Sequence, residues 1–241
     1  MEWVNKIIQG DCLEVIGEME DKSVDLCLTD FPYGIEIDYG VYKDTQENLK
    51  ELIKKLMPEL FRVCKKTYLT CGVLNQWLYP QPNWVMGWIV ESGGNTGKYG
   101  FSCWQPILCY GKDARLGGKQ GRARDIIKTT RRTKVEGHPC PKPLDFWKKL
   151  LWRVSVSDKD IILDPLMGSG TTCVVAKELG KQFIGIEINE KYCKIAEERI
   201  KNTTPPLPFG EKDTGFLLKY CQMSTNCRQL SSAIEIIKKL Y

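Results

Sequence analysis

Asp164-Pro165-Leu166-Met167-Gly168-Ser169-Gly170-Thr171-Thr172 is the stretch on which the reading of this chain turns. Ile161-Ile162-Leu163 before it has the length and β-branched character of a buried strand. Thr172 to Leu179 after it reads as a helix, and Gly180 suits the left-handed position past a helix end. Strand, glycine loop and helix in succession let the backbone come close to the polar groups of a ligand. Glu187 closes the next apolar run, Phe183-Ile184-Gly185-Ile186, and stands 19 residues beyond Gly168. That is about where an acidic residue grips a ribose hydroxyl in nucleotide-binding βαβ units. No Lys follows the glycines, so this is not a P-loop, and Cys173 occupies the place of the third glycine of a dinucleotide fingerprint. On spacing alone the unit is either a site for an adenosine-containing ligand or a tight strand-to-helix turn.

Working outward, composition sets limits. The 241 residues, 42% of them hydrophobic, suffice for one large domain or two small ones with a sizeable core. No run of about 18 apolar residues is present, and Met1-Glu2-Trp3-Val4-Asn5 does not resemble a signal peptide, so a soluble cytoplasmic protein without membrane association is expected. Of the 11 cysteines none forms a Cys-x-x-Cys pair, and His138 is the single histidine. Reduced, mostly buried thiols are therefore expected, with neither a metal site nor a disulfide framework.

The net charge of +5 is unevenly spread. Nine basic residues (Lys112, Arg115, Lys119, Arg122, Arg124, Lys128, Arg131, Arg132 and Lys134) stand against two acidic ones between Lys112 and Lys134, and the rest of the chain is slightly acidic. Such a run is either a solvated loop or a contact for a polyanion; its confinement to one Gly-rich segment favours the polyanion.

Upstream, Lys6-Ile7-Ile8-Gln9 reads as a strand ending at Gly10-Asp11-Cys12. Val24 to Thr29 reads as a second strand, delivering Asp30-Phe31-Pro32-Tyr33-Gly34 at its carboxyl end. A carboxylate followed by Pro, an aromatic ring and Gly makes a stiff, polar and stackable corner, or an ordinary turn with an incidental ring. Leu49, Leu52, Ile53, Leu56, Leu60, Phe61 and Cys64 mark one helical face, capped somewhere in Asp44 to Glu47 and expected to kink or divide at Pro58. Strands are expected at Thr67 to Cys71, Trp84 to Val90 and Cys103 to Tyr110, and a loop-rich insertion over the basic segment. His138-Pro139-Cys140-Pro141-Lys142-Pro143 leads into a helix with Leu144, Trp147, Leu151 and Val154 inward, and Glu190 to Ile200 forms the last one. The alternation implies an α/β fold with a largely parallel sheet, in which ligands bind beyond the carboxyl ends of strands.

Asp30-Phe31-Pro32-Tyr33, the glycine loop and His138 to Pro143 together resemble the amino-group DNA methyltransferases. The order, catalytic corner first and cofactor loop last, is similar to their circularly permuted beta subgroup, over roughly residues 5 to 202. The resemblance implies a Rossmann-like fold with a seven-stranded, mostly parallel sheet and S-adenosylmethionine as methyl donor. It implies a methyltransferase domain over 1–202, with a basic target-recognition insertion at about 111–137, followed by a linker and tail of unknown role over 203–241. Asp164, Gly168, Gly170 and Thr171 would form the cofactor loop, Glu187 would hold the ribose, Asp11 the adenine, and Lys142 would help close the methionine end. Asp30, Phe31, Pro32 and Tyr33 would form the catalytic tetrapeptide, with Phe31 where the family usually has a proline. Double-stranded DNA is the implied partner, through Arg122, Arg124, Arg131 and Arg132, and a homodimer and a cognate restriction endonuclease remain open.

The chemistry needs these residue types. The lone pair of an exocyclic amino group is conjugated into its ring, so the nitrogen is a poor nucleophile. Acceptors at the Asp30 carboxylate and the Phe31 carbonyl would favour a pyramidal nitrogen and stabilise the positive charge developing on it. Tyr33 would stack on a base drawn out of the duplex. Asp at the head of the corner leans towards adenine rather than cytosine. The same corner would also serve methylation of RNA or of a protein amide, and Phe31 raises the alternative of a catalytically silent DNA-binding protein.

Overall fold

The structure, a computed structural model, describes residues 2–90, 95–97, 100–113, 115–116, 123–130 and 142–204. All lie in the first of the two units into which the chain divides, Met1–Pro205; the second, Pro206–Tyr241, lies outside the described residues, as do His138 to Pro141.

In chain order the elements are β1 (Lys6–Gln9), α1 (Cys12–Gly17), β2 (Leu26–Asp30), α2 (Gln46–Val63), β3 (Thr67–Thr70), a 3-10 turn at Asn75–Leu78, and β4 (Trp84–Val90). A hairpin of β5 (Asn95–Gly97) and β6 (Gly100–Ser102) leads to β7 (Trp104–Tyr110) and β8 (Ile126–Thr129). Then come α3 (Leu144–Val154), β9 (Ile161–Asp164), α4 (Thr171–Glu178), β10 (Gln182–Glu187) and α5 (Glu190–Lys201). The main sheet runs β1-β10-β9-β2-β3-β7-β4-β8. Every neighbouring pair is parallel except those of β7, which is antiparallel to both β3 and β4.

The sheet is therefore mixed and eight-stranded, not seven-stranded. The additional strand, β8, lies at the edge and comes from the basic segment read as a loop. It is built on a four-residue alternation: Ile127 and Thr129 are buried while Ile126 and Lys128 face out, and Trp88 Nε1 donates to Thr129 Oγ1 at 2.9 Å. So short an alternation, set among arginines and lysines, does not announce a strand.

Helices cover both faces of the sheet. On one, Ile16 of α1 and Leu49, Ile53, Leu56 and Leu60 of α2 pack with Phe31, Leu69 and Ile184. On the other, Phe146, Trp147, Leu150 and Leu151 of α3 meet Val175 and Ala176 of α4 and Ala196 of α5. Pro58 does not divide α2. Pro58 and Lys54, whose carbonyl loses its N–H partner, are both exposed, so the break in the ladder lies on the solvent side of the helix. Among the described residues seven cysteines are buried thiols, as burial within apolar runs suggests.

Candidate active site

Strands β2 and β9 are hydrogen-bonded neighbours, with Leu26 opposite Ile162 and Cys27 opposite Leu163. The two sequence stretches singled out above therefore leave the carboxyl edge of the sheet side by side. Thr29 Oγ1 donates to Asp164 Oδ1 at 2.8 Å and ties the two strand ends together. Between them opens a cavity of about 270 Å³, whose walls include Asp11, Asp30, Lys142, Asp164, Gly168 and Glu187.

Asp30 ends β2 with both carboxylate oxygens engaged. Thr70 Oγ1 donates to Oδ1, the Tyr33 hydroxyl lies 3.1 Å from the same oxygen, and Lys142 Nζ donates to Oδ2 at 2.5 Å. The Lys142 ammonium also stands 4.7 Å from the centroid of the Tyr33 ring. The Tyr33 hydroxyl is 3.0 Å from Gln105 Oε1, and burial together with the Asp30 carboxylate raises its pKa well above the ordinary tyrosine value. Lys142, assigned from the resemblance to the methionine end, thus meets Asp30 directly.

Phe31 borders the cavity but sinks its side chain into the core. It is 1% exposed and meets the Tyr79 ring edge-on, with centroids 5.4 Å apart. Its N–H donates to the Thr70 carbonyl at 3.3 Å. Where a proline would stiffen the corner through its ring, Phe31 anchors it through packing.

Several polar residues hold the corner from behind. Asp44, 2% exposed, accepts from the N–H groups of Gly34 at 2.6 Å and Ile35 at 3.1 Å. Asn75 Nδ2 donates to the Tyr33 carbonyl at 2.6 Å, and Gln46 Nε2 bridges the carbonyls of Tyr33 and Gly34 at 3.2 and 3.1 Å. Gly34 has φ +64°, and a Cβ there would lie 2.5 Å from Gln46 Nε2, so only glycine fits. Thr70, Asp44, Gln46 and Asn75 were not among the sequence candidates. Asp44 to Glu47 signalled only a helix start; Thr45 is the N-cap, accepting from Asn48 N–H at 3.2 Å.

In the glycine loop, Gly168 and Gly170 take φ +51° and +74°. A Cβ on Gly170 would lie 2.6 Å from that of Ala196, which is why α5 can pack so closely there. Gly168 N–H donates to Glu187 Oε2 at 2.9 Å and Asn189 N–H to Oε1 at 2.8 Å, so the two residues set 19 apart in sequence touch. Burial raises the Glu187 pKa above its ordinary value. Arg199 of α5, which sequence reasoning missed, donates through Nη1 to the Ser169 carbonyl, to Ser169 Oγ at 3.0 Å and to Thr171 Oγ1 at 3.1 Å. Asp164 is fully buried, and burial pushes its pKa up to about 6, against hydrogen bonds from Thr172, Thr29 and Leu166 N–H that favour the anion. Asp11 caps α1 by accepting from Leu13 N–H at 2.8 Å while it lines the cavity.

The basic segment is only partly described. Arg122, Arg131 and Arg132 lie outside the described residues, while Arg124 is exposed. Arg115, counted above within the positive run, points inward instead. It donates to the carbonyls of Arg153 and Trp152 at the end of α3, and its guanidinium lies 4.0 Å from the Trp152 ring centroid. It caps a helix rather than facing a polyanion. Among the described residues no cluster of His, Cys, Asp and Glu could hold a metal ion, and no helix is long and apolar enough to cross a membrane.

An α/β sheet with a glycine loop and an acidic corner at adjacent strand ends has counterparts among known proteins. The structure of the M1.HpyAVI–SAM complex superposes with a TM-score of 0.60 at 22% identity, over 81% of this chain and 98% of that one, which shows the fold. Residues 89–198 match the N6/N4 family described as DNA methylase. Type II methyltransferase M1.MboII of Moraxella bovis is 28% identical over 78% of this chain and 94% of its own length. DNA adenine methyltransferase YhdJ of Escherichia coli (strain K12) is 29% identical over 80% of this chain and 82% of its own. The chain is thus similar to the N6/N4 family over residues 89–198, and to these methyltransferases over most of its length.

Proposed function

We propose that the protein transfers a methyl group from S-adenosylmethionine to the exocyclic amino group of a base, adenine in preference to cytosine, drawn out of a DNA duplex. The observation that carries this reading is the place of Asp30. Its carboxylate shares one cavity with the glycine loop and Glu187, so an acceptor for an amino group faces a site shaped for an adenosine ligand.

The residues fit that cofactor. Each Glu187 oxygen takes one backbone N–H and keeps acceptor capacity for a ribose diol. Gly168 borders the cavity, Gly170 lets the loop pack on α5, and Leu13, Pro165, Leu166 and Ile188 supply apolar walls for a purine. When bound, S-adenosylmethionine supplies an electrophilic methyl carbon on a sulfonium centre. Thr70 and Tyr33 engage Oδ1 of Asp30, which leaves Oδ2 as the oxygen for the target N–H, and Lys142 yields that position when the base enters. The Phe31 carbonyl takes the second N–H. Both acceptors oppose the positive charge growing on nitrogen without reorganising, because Phe31 and Asp44 already fix the corner. Tyr33 presents its ring to the base. Arg124, with Arg122, Arg131 and Arg132 of the same segment, anchors DNA phosphates.

Asp at the head of the corner supports adenine, as does the name of the Escherichia coli relative, a DNA adenine methyltransferase. The buried anchorage of Phe31 favours an active corner over a silent DNA-binding protein. Expression in a host without DNA methylation, with modified bases mapped by single-molecule sequencing, tests the proposal. N6-methyladenine at one recurrent sequence is expected; unmodified DNA despite folded, soluble protein overturns it.

A further inference from the structure

Leu74 and Trp77 are the most exposed large apolar side chains among the described residues, at 76% and 82%. They stand on the 3-10 turn that follows β3, at the carboxyl edge of the sheet. Burial in a core explains neither. The turn is fastened to the catalytic corner: Asn75, between the two, donates to the Tyr33 carbonyl at 2.6 Å, and a Cβ on Gly72 would meet the Tyr33 ring at 3.9 Å. Any surface that Trp77 touches is thereby held at a fixed offset from the base that Tyr33 and Asp30 receive. The chemistry of the stretch is also distinctive. From Cys71 to Trp84 there is no Lys, Arg, Asp or Glu, in a protein that places nine basic residues between Lys112 and Lys134. An uncharged turn with an aromatic and an aliphatic tip, beside a pocket for an extruded base, suits contact with base faces rather than with phosphates.

We propose that this turn is a wedge that enters the duplex next to the target base, Trp77 stacking on the base pair left uncovered and Leu74 filling beside it. The inference rests on the DNA amino-methyltransferase reading and adds the element that holds the duplex open. A base that leaves the stack exposes the faces of its neighbours to water, and an aromatic ring covers such a face whatever its sequence.

The test uses the full chain and a duplex carrying the mapped site, either matched or with the target base mispaired, and a third duplex with 2-aminopurine in place of the target base. Trp77→Ala should lower the single-turnover methylation rate on the matched duplex by about tenfold. It should lower the rate far less on the mispaired duplex, whose base already leaves readily, and should reduce the rise in 2-aminopurine emission on binding. Cofactor affinity should stay unchanged, and Trp77→Phe should restore most of the rate. Equal losses on matched and mispaired duplexes would show a merely structural role and overturn the proposal, as would an unaltered rate on the matched duplex. A Trp77→Ala variant that turns a dimer into a monomer with 2-aminopurine emission intact would assign the turn to a second copy of the chain. Wild-type protein that methylates no DNA overturns the parent reading together with this one, and that outcome is read before any variant is made.

Discussion

The Lys142 ammonium rests 2.5 Å from Asp30 Oδ2, on the carboxylate oxygen that Thr70 and Tyr33 leave for an incoming donor. With the pair 14% and 24% exposed, the ion pair is largely withdrawn from water and orients the carboxylate towards the cavity. Lys142, just before α3 in the chain, thus reaches a corner that lies 112 residues earlier.

Two roles for Lys142 separate in kinetics. If it closes the methionine end of the cofactor, Lys142→Met weakens cofactor binding. If it orients Asp30, as the ion pair indicates, Lys142→Met leaves the cofactor dissociation constant within about twofold and lowers turnover by roughly ten- to a hundredfold. Calorimetric titration beside single-turnover rates distinguishes them.

Arg199→Ala removes the guanidinium that ties Ser169 and Thr171 to α5. Hydrogen bonds from a charged donor are worth about 1.5–3 kcal/mol, so cofactor affinity should fall by roughly tenfold or more as the loop loosens, with Asp30 untouched. Unchanged affinity in a folded variant would detach the loop's order from α5.

Asp164 makes stability depend on pH. Its folded value of about 6 lies above the ordinary 3.8, so the folded state holds the proton more tightly than the unfolded chain. The contribution is fully present below about pH 4 and is lost as pH rises through about 6, a difference of about 3 kcal/mol. Asp164→Asn, which keeps acceptors for Thr29 and Leu166 N–H, should raise the melting temperature at pH 7 and flatten its change between pH 4 and 7. Thermal denaturation across that range is the measurement.

Arg124 is exposed on the lead-in to β8. If it anchors a phosphate, Arg124→Ala weakens binding to all duplexes alike and lowers the salt slope by about one unit. If it reads a guanine edge, the loss instead relaxes the methylated sequence at one position, at about 1–3 kcal/mol. Binding isotherms at several salt concentrations decide.

What was legible in the sequence, and what was not, follows from where each signal resides. Buried parallel strands such as Ile161–Asp164 and Gln182–Glu187 are apolar runs, and the glycines between them mark the loop, so strands and glycine loop could be read locally. Asp30 was legible because a carboxylate, a proline and a ring stand in succession. Asp44, Asn75 and Arg199 were not, because each meets its partner across 9 to 42 residues of chain and looks like an ordinary surface residue in its own segment. Arg115 misled for the same reason: its charge is visible locally, while the carbonyls of Trp152 and Arg153 that draw it inward are not. The hairpin of β5 and β6 and the short α1 gave too few residues for a period to emerge.

The central claim is that Asp30 accepts from the amino group that is methylated, and a single-turnover assay tests it most directly. Purified protein, labelled S-adenosylmethionine and a duplex carrying the mapped site should yield label in N6-methyladenine. Asp30→Ala should bind the cofactor as the wild type does and transfer methyl about 10² to 10³ times more slowly, or worse. Transfer by Asp30→Ala at the wild-type rate, or label that enters no base, would contradict the account.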